Sequence, residues 1–363
     1  MKIAQVAPLF ESVPPRGYGG TERVVSYLTE ALVEDGHDVT LFASGDSRTR
    51  ARLVPVAGRS MRLAPDRPEW LMWHTVMLDR VFEMADRFDV IHFHTDFLHY
   101  PLARRCATRS LTTLHGRLDL ADLAPLHRHF DDQPLVSISA SQRRPMADAN
   151  WLATVHHGLP KDLYRPSREP GDDFVFVGRI SPEKRVDRAI EIARACGMRL
   201  RVAAKVDAAD RAYFEREIRD LLADPLVDYV GEIGEAEKGA FIGGARALLF
   251  PVDWPEPFGL VMIEAMACGT PIVAYDCGSV PEVLEHGVTG YIVRSQDEAI
   301  EAARRIGAID RRACRAQFEA RFTADRMARR YVAVYRSLLD GRAPAAAPPP
   351  APATARLTTG APR

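Results

Sequence analysis

Two glutamates eight positions apart, Glu256 and Glu264, lie in the stretch PVDWPEPFGLVMIEAMACGTP that spans 251–271. The stretch reads as a strand end, a loop and a helix, capped by Gly269 and stopped at Pro271. That helix is apolar on every side from Leu260 to Cys268, as a buried helix is. Glu264 sits in its middle, and a buried carboxylate without a partner is strongly unfavourable. An internal ion pair with an arginine would satisfy it; hydrogen bonds to ligand hydroxyls are the functional reading. Glu256 precedes the helix and gains ~0.3–1 kcal/mol from its dipole. The amides of Phe258, Gly259 and Leu260 open where ligands bind in open α/β sheets, and helix N-termini there suit phosphate. Gly259 permits close backbone approach. A carboxylate would repel the phosphate itself, so Glu256 is expected to face a sugar.

A second constellation is VGRISPEKR at 177–185. Ser181 suits an N-cap and Pro182 the first helical position. Lys184 then falls in the first turn, where a cation opposes the dipole, and Arg179 lies in the adjoining loop. Two cations at a positive helix end imply an anion such as a diphosphate; the plainer alternative is a surface pair of Lys184 with Glu183. Only five of the 48 basic residues are lysine (Lys2, Lys161, Lys184, Lys205, Lys238), so each carries some expectation of a chemical role. In the first half, Gly19 and Gly20 could offer amides to phosphate, and His115 ends a strand at the crevice edge. His92 and His94 alternate on VIHFH and share a face; with no third ligand evident, packing or acceptor contact is favoured over metal. No Asp-x-Asp occurs in the chain.

The elements that must position these residues alternate. Short apolar runs (IAQVA, VTLFA, VIHFH, FVFVG, ALLFP, IVAYD) are separated by helical stretches, which indicates buried parallel sheets. The expected α/β architecture is two Rossmann-like doubly wound parallel-sheet domains facing across a cleft. The N-terminal domain is 1–163, on the acceptor side, and the C-terminal domain is 164–322, on the donor side. Helices are expected near 21–35, 69–86 and 97–108, then at 182–195, 208–222, 235–245, 258–268 and 296–307. A last helix at 323–340 is followed by a disordered Ala/Pro-rich tail at 341–363, with eight Ala and six Pro in 23 residues. At 363 residues, 47% hydrophobic and 27% charged, two globular domains fit. A net charge of −1 removes the electrostatic reason to expect nucleic acid. No apolar run reaches membrane-spanning length; a cytoplasmic location is expected, with peripheral membrane contact left open.

Together these stretches resemble glycosyltransferase family 4, the retaining transferases of GT-B fold, from Met1 to about Leu339. The pattern E-x7-E is Glu256 to Glu264, VGRISPEKR carries the phosphate-binding Arg179 and Lys184, and GYGGTERVV carries Gly19 and Gly20. The resemblance implies transfer of a hexose-type sugar from a nucleoside diphosphate donor to an unknown acceptor, with no cofactor and no metal. It further implies that Arg179 and Lys184 neutralise the leaving diphosphate, that Glu256 holds the sugar and that Glu264 holds the ribose. Phe258, Gly259 and Leu260 would meet sugar and phosphate, His115 the 6-hydroxyl, and Lys205 and Ile233 the base. It also implies that the last helix returns to the N-terminal domain. One departure stands out: where the family usually has E-K-G, this chain has Glu183-Lys184-Arg185. A sugar-nucleotide epimerase of the same architecture is the alternative; a phosphorylase and a sensor rank below it. An oxidoreductase is disfavoured because G-x-G-x-x-G follows neither domain's first strand.

Overall fold

A computed structural model describes residues 1–17, 19–62, 64, 68–167 and 169–341. Apart from Gly341, the Ala/Pro-rich tail lies outside the described residues.

The first half forms a seven-stranded sheet from β1 (Lys2–Val6), β2 (Asp38–Ala43), β3 (Arg52–Pro55), β4 (Val90–Phe93), β5 (Arg109–Thr113), β6 (Leu135–Ser137) and β7 (Trp151–Thr154). Its order is β3-β2-β1-β4-β5-β6-β7, with every pair parallel. Around it lie α1 (Gly20–Glu34), α2 (Trp70–Glu83), α3 (Tyr100–Ala103), α4 (Leu123–His129) and α5 (Ala140–Arg143). The strands are apolar because both faces are covered: Ile3, Ala4, Val6 and Phe42 are fully buried. Gln5 breaks the apolar run and is just as buried.

The second half is a six-stranded parallel sheet of β8 (Phe174–Arg179), β9 (Leu200–Lys205), β10 (Val227–Gly231), β11 (Ala247–Phe250), β12 (Ile272–Tyr275) and β13 (Gly290–Val293). Its order is β10-β9-β8-β11-β12-β13. The helices are α6 (Val186–Cys196), α7 (Arg211–Tyr213), α8 (Glu235–Gly243), α9 (Leu260–Ala267), α10 (Val280–Val283), α11 (Gln296–Arg304), α12 (Arg311–Arg321) and α13 (Ala324–Leu339). Strand order reverses between β1 and β4 in one sheet and between β8 and β11 in the other. The carboxyl ends of strands at such points leave a crevice for ligand.

After the second sheet the chain turns back. The Leu159 amide donates to Phe322 O at 2.9 Å, and the Ala324 amide donates to Leu159 O at 2.8 Å. α13 then packs on α1, burying Met327, Tyr331, Val334 and Tyr335 at helical spacing. One apolar cluster consequently runs from Ile3 and Leu28 through Phe322 and Tyr331 to Met262 and Ile272.

Several elements differ from expectation. The segment from Pro182 is a 3-10 turn ending at Lys184; α6 starts only at Val186. The helix expected over 97–108 is the single turn α3, and that over 208–222 is broken into 3-10, α and π pieces. α12 was not expected at all. Among the described residues no helix is long and apolar enough to cross a membrane.

Candidate functional site

A cleft of about 710 Å³ opens at the carboxyl ends of both sheets. All twelve residues given a catalytic or donor-binding role above line it. Gly19, Gly20 and His115 come from the first half. Arg179 and Lys205 end β8 and β9, and Lys184 and Ile233 follow β8 and β10. Glu256, Phe258, Gly259, Leu260 and Glu264 come from the β11–α9 loop and α9.

α9 is buried as its sequence requires, with Met262 to Ala267 all inaccessible or nearly so. Gly259 takes a left-handed φ of 75°, and a Cβ there would lie 2.8 Å from Met262 Cε and 3.1 Å from Phe250 Cζ. The left-handed backbone above all disfavours a larger residue there. No side chain caps the first turn of α9, although the Met262 amide already donates to Gly259 O at 3.0 Å.

Glu264 is 2% exposed, and its Oε1 accepts from Lys238 Nζ at 2.8 Å. The buried carboxylate therefore has a cationic partner, a lysine of α8 rather than an arginine. Lys238 itself lines the cleft, and the sequence reading left it out of the site. Its scarcity was the available signal: Lys184, Lys205 and Lys238 are three of the five lysines, and all three line the cleft.

Glu256 Oε2 accepts from Lys184 Nζ and, at 3.0 Å, from Trp254 Nε1. Lys184 therefore pairs with Glu256 and not with Glu183, which is bound by Arg179 instead. Arg179 also faces Asp210 at 3.3 Å and Asp207 at 3.6 Å, and Lys205 holds Asp207 at 2.9 Å. Each cation thus has a carboxylate partner.

Two backbone features hold this arrangement. Arg185 takes the left-handed conformation (φ 54°, ψ 48°) that glycine adopts without strain. Its guanidinium holds Asp187 at 2.8 Å and Asp253 at 2.6 Å, contacts that offset the strain of the conformation. Gly278 (φ 58°) lies against Glu256; a Cβ there would stand 2.4 Å from the Glu256 amide nitrogen. The Ser279 amide donates to Glu256 O at 3.0 Å. Gly278 was not anticipated from sequence, where it is one of 24 glycines.

On the opposite wall, burial lowers the pKa of His115 to about 3, and those of His92, His94 and His157 lie well below the ordinary value for the same reason. His92 and His94 share a face as expected, with ring centroids 4.0 Å apart. Asp96, a non-glycine residue at φ 51°, also lines the cleft and was missed. Trp70 of α2 lines it as well, whereas Met77 is fully buried core.

Comparison with known proteins gives a consistent picture. Residues 165–312 match the model for glycosyl transferases group 1, and residues 18–156 match that for glycosyltransferase family 4. An uncharacterized glycosyltransferase of Methanocaldococcus jannaschii is 25% identical over 335 residues, 80% of this chain and 84% of that one. The D-inositol 3-phosphate glycosyltransferase of Mycolicibacterium smegmatis is 32% identical over 196 residues; the match spans 50% of this chain and 43% of that protein. Among solved structures, a glycosyltransferase involved in avilamycin A biosynthesis superposes with TM-score 0.73 at 27% identity, covering 94% and 98% of the two chains. Anabaena HepE, solved with UDP and glucose, shares the fold at TM-score 0.74 and 18% identity, covering 93% of this chain and 100% of its own.

Proposed function

Because this chain belongs to the GT-B glycosyltransferases of family 4, we propose that it moves a hexose-type sugar from a nucleoside diphosphate donor to a hydroxyl acceptor with retention of configuration. The observation that carries the reading is the meeting of Lys184, Glu256, Glu264 and the uncapped start of α9 in one cleft. In this scheme the diphosphate lies on the α9 amides and displaces the carboxylates from Arg179 and Lys184. Glu264 and Lys238 take the ribose hydroxyls, and the strand ends at Lys205 and Ile233 flank the base. Glu256, released from Lys184, accepts from the sugar hydroxyls, while His115, Gly19 and Gly20 close over the sugar from the other wall.

The chemistry needs charge stabilisation where it develops. As the bond from C1 to the phosphate oxygen breaks, negative charge accumulates on the diphosphate beside Arg179 and Lys184. The acceptor oxygen bonds C1 from the same face and passes its proton to the departing phosphate. The two side-chain cations and the helix amides fill the role of a metal ion in this proposal. The HepE complexes with UDP and with UDP-glucose lend support to a nucleotide-sugar donor of this kind.

A thermal-shift screen of UDP-, GDP- and ADP-hexoses tests it. One nucleotide family should raise the melting temperature with the concentration dependence of single-site linkage, which adds ~2.7 kcal/mol of stability at a hundred times Kd. Lys184→Ala should lose most of that shift; no response to any of the three would refute the assignment.

A further inference from the structure

A chain of buried hydrogen bonds leads from the C-terminal helix to the cleft. Tyr331 Oη meets Thr113 Oγ1 at 2.9 Å, Thr113 meets His92 Nε2 at 2.7 Å, and His92 Nδ1 meets Tyr335 Oη at 2.8 Å. Gln5 continues it: Nε2 donates to Tyr335 Oη at 3.1 Å, and Oε1 lies 2.8 Å from His94 Nε2. His94 Nδ1 then meets His115 Nε2 at 2.9 Å. His115 Nδ1 ends the chain; it is buried, with no partner among the described residues, on a ring that lines the cleft.

The polarity of this chain follows from what each atom can do. Gln5 Oε1 only accepts, so His94 Nε2 carries a proton. Burial keeps these imidazoles neutral, so each has one N–H. His94 Nδ1 is therefore the acceptor, and His115 Nε2–H the donor. What remains at His115 Nδ1 is a lone pair. Turning the Gln5 amide over would reverse both histidine bonds and put an N–H at His115 Nδ1 instead. A buried glutamine in the middle of β1 is otherwise hard to account for among Ile3, Ala4 and Val6.

We propose that Gln5, acting through His94, is a positioning residue that fixes His115 Nδ1 as a hydrogen-bond acceptor, so that the cleft selects a ligand hydroxyl at that point. The ligand half of this statement rests on the reading of the cleft as a donor-sugar site; the proton placement does not. The titratable groups facing His94 are His92, His115 and His157.

Nitrogen-15 NMR of the histidine rings in the full chain at pH 8.5 reads the proton positions directly. His94 and His115 should each show a protonated Nε2 and a bare Nδ1. Gln5→Glu keeps an acceptor beside His94 and should leave His115 unchanged. Gln5→Met keeps the shape but no polar atom; His115 should then divide between tautomers, and kcat/KM with the stabilising nucleotide sugar should fall about tenfold. A purely space-filling Gln5 predicts the reverse ranking, with methionine harmless and the buried carboxylate damaging. The proposal is overturned if the parent carries the proton on His115 Nδ1, or if Gln5→Met keeps both tautomer and rate. If the tautomers are as stated but no nucleoside diphosphate binds, the relay stands and the donor-site reading falls.

Discussion

Glu264 and Glu256 each hold a lysine that lines the same cleft, but their surroundings differ. Glu264 is mid-helix and nearly inaccessible, bonded to Lys238, whereas Glu256 sits in a loop between Lys184 and Trp254. If Glu264 bonds the ribose, Glu264→Gln weakens nucleoside diphosphate and donor alike. A charge-assisted hydrogen bond contributes ~1.5–3 kcal/mol, so the loss should be about tenfold or more. Glu256→Gln should leave diphosphate affinity nearly intact while transfer falls further, chiefly in kcat. Calorimetry and initial rates separate the two; equal losses of nucleotide affinity would refute the division. The buried histidines set a second expectation. His92, His94, His99, His115 and His157 have folded pKa values below the ordinary one because burial disfavours the imidazolium. The unfolded chain then binds more protons below pH ~6.5, so stability is full above that value and is lost as pH falls. Melting temperature should thus drop by about 5 °C or more between pH 7.5 and 5, and a flat profile would contradict neutral burial.

At the scale of elements, the loop that carries Glu256 depends on Gly278, which is left-handed and pressed on its backbone. Gly278→Ala adds a strain of ~1–2 kcal/mol and a clash that must displace Glu256. Gly287, at φ 80° with open space around it, controls for the strain alone. Both alanine variants should melt lower, but only Gly278→Ala should reduce kcat, by about tenfold or more; equal kcat values would show that the contact does not position Glu256. Strands such as β1, β4, β11 and β12, like α9, were legible in sequence because burial on all sides leaves an apolar run. The start of α6 was not. Ser181-Pro182 carries every mark of a helix start, yet Arg185 takes a conformation stabilised by Asp187 and by Asp253, 68 residues away. Local propensity cannot contain that contact. α12 was missed for a related reason. Its sequence RRACRAQFEAR interleaves arginines with its few apolar residues, and it is held by arginines reaching distant carbonyls. Arg311 bonds Ser167 O, Ala245 O and Gly243 O, while Arg315 bonds Tyr164 O and Ala267 O.

Across the whole molecule, two sheets present their switch points to one cleft, and α13 ties the end of the chain back to the first sheet. Tyr331 and Tyr335 of α13 join the buried chain that reaches His115, so the return of that helix bears on the site as well as on stability. A donor spanning this cleft would have its diphosphate on the second half and its sugar against the first. In the proposed reaction the nucleoside diphosphate is released only when an acceptor hydroxyl reaches C1. Proton NMR of the full chain in EDTA, with the nucleotide hexose that stabilises it and a panel of hydroxyl acceptors, measures this most directly. The expected result is stoichiometric release of nucleoside diphosphate and a new glycoside with the anomeric configuration of the donor. An inverted anomeric configuration, complete dependence on added divalent metal, or an epimerised nucleotide sugar without diphosphate release would contradict the proposed reaction.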